Sequence, residues 1–146
     1  MELLVHNVDV DPVYCDDLLL EKAVQRIVLD FGFVPGEMAL VFCSDDYILE
    51  VNRTYLNHDF FTDIITFDYC SAGVISGDLI VSLDTVRSNS ELYGVRFELE
   101  LFRVVVHGLL HLCGLGDKSA DEAKNMREKE DFYFDLLVNP FVSRET

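Results

Sequence analysis

Basic residues are scarce in this chain. Lys plus Arg number 11 against 27 Asp plus Glu, for a formal net charge of −16. Such a field repels polyanions and favours solubility, so taken alone it argues against nucleic acid as a partner. Paired cysteines are missing too. The four thiols, Cys15, Cys43, Cys70 and Cys113, form no C-x-x-C pair, which excludes a disulfide framework and a cysteine-rich zinc finger. Isolated cysteines of this kind are packing residues. No basic segment opens the chain, and Asp9, Asp11, Asp16 and Asp17 already fall within its first twenty residues, so the N-terminus does not have the pattern of a signal peptide. No apolar run is long enough to span a bilayer. Repeats, low-complexity tracts and linkers are absent as well. The expectation is a single cytoplasmic domain over residues 1–146, with no membrane association.

What is present is ordinary globular material. Half of the 146 residues are hydrophobic, enough for a core without disulfides. Leu3 to Val8 forms a first strand. Tyr14 to Phe31 is amphipathic at helical spacing and stops at Gly32. Met38 to Cys43 is a short apolar strand, and Ser44 caps a helix from Asp45 to Tyr55. Asn57 to Thr62 is a polar and aromatic loop. Ile64 to Tyr69 and Val74 to Leu83 are β-branched strands joined through Ser71, Ala72 and Gly73. Helices follow over Asp84 to Tyr93 and Phe97 to Cys113. A last helix opens at Ser119, with Glu122 completing a capping-box pattern, and runs to about Val138. The order predicts an α+β fold: a mixed sheet of about four strands with packed helices, the central buried helix carrying the functional residues.

That central helix contains V-V-V-H-G-L-L-H-L-C-G. His107 and His111 are separated by roughly 40° and one turn, so two imidazoles can grip one ion. Gly114 breaks the helix, and Asp117 falls where a reversing chain can return a carboxylate as third ligand. A lone H-x-x-x-H would also suit two satisfied core histidines. The glycine and the ligand-capable residue beyond it favour metal, as does the cost of burying two unpaired imidazoles in an apolar helix. The metal expected is zinc, with manganese or iron as alternatives. Cys113 points elsewhere on the helix and is assigned to packing. Gly108 occupies the place where H-E-x-x-H peptidases carry a glutamate base, which counts against peptide hydrolysis. Glycine inside a helix costs about 0.5–1 kcal/mol relative to alanine. Close approach of a backbone or of substrate would account for it, and so would a tight helix–strand contact.

The run H-G-L-L-H-L-C-G-L-G-D resembles the signature of the YbeY family, single-strand-specific endoribonucleases linked to bacterial ribosomal RNA maturation. Asn52-Arg53-Thr54-Tyr55, Asp59 and Thr62-Asp63-Ile64-Ile65-Thr66-Phe67 look like a second family block, and Gly77-Asp78-Leu79-Ile80-Val81-Ser82 like a third. The resemblance implies an α+β fold, a zinc ion on His107, His111 and residue 117, and single-stranded or ribosomal RNA as partner. Ribosomal components are further candidate partners, and DNA is not expected. Two positions depart from the family pattern. Asp117 stands where histidine is usual, which lowers the charge of the centre from +2 to +1 and admits harder metals. Leu56 stands where arginine is common, and leucine cannot contact a phosphate. Arg53, three residues earlier, would lie on nearly the same face of a continuing α-helix and could replace that charge. Asp63 and His58 are candidate bases, each with a plainer reading as a turn cap and a solvated loop residue. Arg53, Arg96 and Arg103 are the basic residues nearest these blocks, with surface ion pairing as their plainer reading, above all for Arg96. The alternatives to a nuclease are a non-enzymatic assembly factor stapled by metal, and a metal-dependent hydrolase of another substrate.

Overall fold

The structure, a computed structural model, describes residues 3–13, 16–57 and 62–138. His58, a candidate base, lies outside the described residues. The elements are β1 (Leu3–Asn7), α1 (Asp17–Asp30), β2 (Val34–Cys43), α2 (Asp45–Val51), a π-helical turn (Asn52–Leu56), β3 (Ile64–Asp68), β4 (Val74–Ser82), α3 (Leu83–Tyr93), α4 (Phe97–Leu112) and α5 (Ala120–Leu137).

Four strands make one mixed sheet in the order β1-β2-β4-β3. β1, β2 and β4 run parallel, and β3 joins β4 antiparallel, with Ile65 opposite Ile80. Alternate side chains leave opposite faces of a strand, and both faces here are covered. Met38, Leu40, Phe42, Leu79 and Val81 face a large core with α1 and α4. Cys43, Ile65 and Ile80 face a smaller cluster closed by Ile48 and Val51 of α2.

Side-chain caps set the helix starts. Asp16 accepts from the Leu19 amide at 3.0 Å and Ser44 from the Tyr47 amide at 3.1 Å. Ser119 and Glu122 close the expected capping box reciprocally. α1 therefore begins at Asp17, three residues later than the apolar periodicity suggests. β2 begins at Val34, four residues early. Its first residues, including Pro35 and Gly36, are accommodated by a register shift against β4 between Pro35 and Met38.

α4 is the structural centre. From Glu100 to Leu112 only Arg103, His107 and His111 escape full burial, a single stripe at i, i+4, i+8. A Cβ on Gly108 would stand 2.6 Å from Ile64 Cδ1, 3.2 Å from Leu79 Cδ2 and 3.3 Å from Thr66 Cγ2. The glycine thus serves the close packing of α4 on β3 and β4, not substrate approach.

Candidate metal centre

His107 and His111 project from the exposed stripe of α4. The helix ends because Gly114 adopts φ 107°, a backbone conformation that glycine tolerates best. The Gly114 and Leu115 amides bond back to the His111 and Leu110 carbonyls, each at 3.0 Å. The reversal carries Asp117 over the histidines.

Three ligand atoms converge. Nε2 of His107 and Nε2 of His111 are 3.0 Å apart. Asp117 Oδ2 is 3.4 Å from the first and 3.3 Å from the second. Ligands about 2.0–2.1 Å from a tetrahedral ion are separated by roughly 3.3–3.4 Å. The N2O donor set thus already has nearly the spacing that one metal ion requires, and these three residues could hold one.

Each imidazole is held from behind. The Leu115 carbonyl accepts from His111 Nδ1 at 2.8 Å, and the Glu130 carboxylate lies 2.8 Å from His107 Nδ1. Both contacts turn Nε2 toward the shared point, the usual outer support of a metal-bound histidine. Burial disfavours a charged His107, but Glu130, then Asp63 and Asp117, outweigh it and raise the ring's pKa. Glu130 is only 12% exposed. Arg103, one turn before His107, reaches Glu130 at 3.5 Å and Asp131 at 3.0 Å. Arg103 is an ion-pair residue whose partner Glu130 belongs to the site. Glu130 was not singled out in the sequence. It sits among the many charges of α5 and resembles a solvated face.

Asp63 immediately precedes β3, and its carbonyl accepts from the Ser82 amide at 2.9 Å. Burial pushes its carboxyl up, and the nearby His107 ring pulls it back. Two cavities meet here, both bordered by Asp63 and His107. One, of about 480 Å³, opens onto His111, Asp117, Asn52 and Leu56. The other, of about 440 Å³, lies toward α3 and α5. Leu56 therefore borders the metal-side cavity. Arg53 is exposed and is not among the residues that line it. The expected α-helical continuation is replaced by wider π winding, from which the Asn57 amide bonds to the Asn52 carbonyl, so the α-helical i, i+3 relation does not apply. Cys113 is buried, and burial pushes its thiol up to about 12, as befits packing.

Comparison with known proteins adds to this geometry. Residues 15–137 match the family model described as Endoribonuclease YbeY. The chain is 52% identical to the Endoribonuclease YbeY of Bacteroides thetaiotaomicron over 108 residues, covering 74% of this chain and 79% of that one. It is 54% identical to that of Phocaeicola vulgatus over 108 residues, covering 74% and 78%. The solution structure of TM1509 from Thermotoga maritima superposes with a TM-score of 0.65 at 25% identity, covering 98% of this chain and 93% of that one.

Proposed function

Because this chain belongs to the YbeY family, we propose that it is a metal-dependent, single-strand-specific endoribonuclease that acts in ribosomal RNA maturation. The observation that carries this reading is the convergence of His107 Nε2, His111 Nε2 and Asp117 Oδ2 beside a cavity large enough for a nucleotide. Zinc suits two imidazoles and one carboxylate, and the carboxylate also accommodates manganese or iron. An ion bound there would supply Lewis acidity to a phosphoryl oxygen and make a water nucleophilic near neutral pH.

The chain's own residues do the rest. Glu130 and Leu115 orient the two rings. Asp63 stands beside His107 at the junction of the two cavities and is the group we assign to take the proton of the attacking water. Arg53 is exposed on the turn that carries Leu56 but lies outside the cavity lining, so a contact from it to RNA would fall beyond the cavity and would not replace a cation at position 56. Peptide hydrolysis fits poorly, since position 108 bears no base and its Cβ space is filled by Ile64. A ribosome-assembly factor without catalysis is the second reading, favoured by Leu56 at the cavity edge. No helix among the described residues is long and apolar enough to cross a membrane, and we place the protein in the cytoplasm.

The test is cleavage of matched single-stranded RNA, double-stranded RNA and single-stranded DNA by the protein before chelation, after chelation and after metal is restored. Cleavage confined to single-stranded RNA, lost on chelation and regained with metal, is expected. Intact RNA under all conditions would favour the assembly factor.

A further inference from the structure

The second cavity beside the metal centre has no role in the chemistry above. It shares Asp63 and His107 with the metal-side cavity, so whatever fills it lies next to the reacting phosphate. Its walls are mostly apolar, with Leu99, Val104 and Phe134 prominent, and the Arg103 guanidinium stacks over the Phe134 ring at 5.1 Å. Its acidic groups are Asp63, Glu100 and Glu130 against Arg103 and the His107 ring, and these two are already engaged, Arg103 with Glu130 and Asp131 and His107 with Glu130. Such a lining rejects a phosphate and accepts the uncharged, planar part of a nucleotide.

Glu100 is the informative residue. It is 7% exposed and borders this cavity. Among the described residues its carboxyl makes no hydrogen bond and no ion pair. Arg103 acts on it only through its field, and desolvation raises its pKa. No buried side-chain oxygen among the described residues is left without a partner, so the Glu100 carboxyl oxygens open onto the cavity, where a donating ligand can take the place of water. A carboxylate presents two acceptors and no donor. Of the four RNA bases, guanine is the one with two adjacent donors, N1–H and N2–H, on its Watson–Crick edge. Adenine and cytosine place an acceptor beside their amino group, and uracil flanks one N–H with two carbonyls. Single-stranded RNA is commonly read through splayed bases that stack on aromatic and arginine planes and bond along that edge.

We propose that this cavity is a base-specificity site that takes a guanine next to the cleaved phosphate, with Glu100 accepting from its N1–H and N2–H. The inference rests on the endoribonuclease reading. Asn89 also borders the cavity.

Two measurements test it. In the first, metal-loaded protein is titrated calorimetrically with the 5′-monophosphates of guanosine, adenosine, cytidine and uridine. The phosphate is common to all four, so differences report the base. Guanosine monophosphate is expected to bind about tenfold or more tightly than the others. Glu100→Gln, which replaces one acceptor by a donor, should erase that preference while metal content and melting temperature stay near wild type. Equal binding of all four nucleotides, or a preference untouched in Glu100→Gln, would overturn the proposal, and the wild-type comparison stands even if the variant folds poorly. In the second, fragment ends are sequenced after digestion of a randomised single-stranded RNA. Guanine enriched at one fixed position beside the cut is expected. Cleavage without base preference overturns the base site and leaves the nuclease intact. No cleavage, with guanosine monophosphate still preferred, overturns the nuclease reading instead.

Discussion

The Glu130 carboxylate of α5 lies 2.8 Å from Nδ1 of His107 on α4. This contact ties the C-terminal helix to the metal centre across 23 positions of sequence. It turns Nε2 of His107 toward the point shared with His111 and Asp117, and Arg103 holds the carboxylate from its other side at 3.5 Å.

Glu130→Gln should therefore weaken metal binding by about 10–100-fold, the usual cost of losing an outer carboxylate on a histidine ligand. Competition with a chromophoric chelator measures it. Affinity equal to wild type would mean that the contact does not support the ligand.

Asp117 is the exposed third member of the candidate ligand group, brought to the histidines because the chain reverses at Gly114. Asp117→Ala leaves two ligands, so the metal should be lost on dialysis. Asp117→His should keep it and raise cleavage, since a neutral ligand restores the more positive centre. Retention of a full equivalent in Asp117→Ala, read by elemental analysis, would place the third ligand elsewhere.

Leu56 borders the metal-side cavity while Arg53 does not line it. Leu56→Arg should tighten RNA binding and raise cleavage, because it adds a phosphate donor at the cavity's edge. Arg53→Ala should lower cleavage without loss of metal. Rates unchanged in Arg53→Ala would remove this arginine from the mechanism. A silent wild type that gains activity in Leu56→Arg would support the assembly-factor reading.

The fold was legible wherever local chemistry decides it. Ser44, Ser119 with Glu122, and Gly114 mark helix ends through hydrogen bonds and backbone freedom that the residue types announce. The i, i+4 histidines and Asp117 were legible for the same reason. Long-range features were not. Glu130 and Glu100 look like two more acids in a chain with 27 Asp plus Glu, and only the packing of α5 and α3 against α4 separates them from solvated charges. The π winding of Asn52–Leu56 was equally hidden, since its residues suit an α-helix. Gly108 left open two readings that only the position of Ile64 could separate.

α5 is also tied to α1, where Tyr133 Oη donates to Asp30 Oδ2 at 2.9 Å. Burial works against the Asp30 carboxylate, but Arg26 and Tyr133 outweigh it and hold its pKa below the usual 3.8. A carboxyl lowered on folding stabilises the protein above its unfolded value, and the contribution disappears as pH falls through the folded one. Tyr133→Phe should thus cost about 1 kcal/mol at neutral pH. The difference from wild type should shrink only below about pH 4. Urea denaturation across pH 3–7 checks both. A difference that already fades between pH 7 and 5 would assign the loss to another group.

The central claim is that one metal ion on His107, His111 and Asp117 carries RNA cleavage. Chelator-stripped protein titrated with zinc, while single-stranded RNA cleavage is followed, tests it most directly. Cleavage should rise linearly and break at one equivalent per chain, and His107→Ala and His111→Ala should show no rise at that stoichiometry. Full cleavage by the stripped protein, or an undiminished response in either histidine variant, would contradict the account.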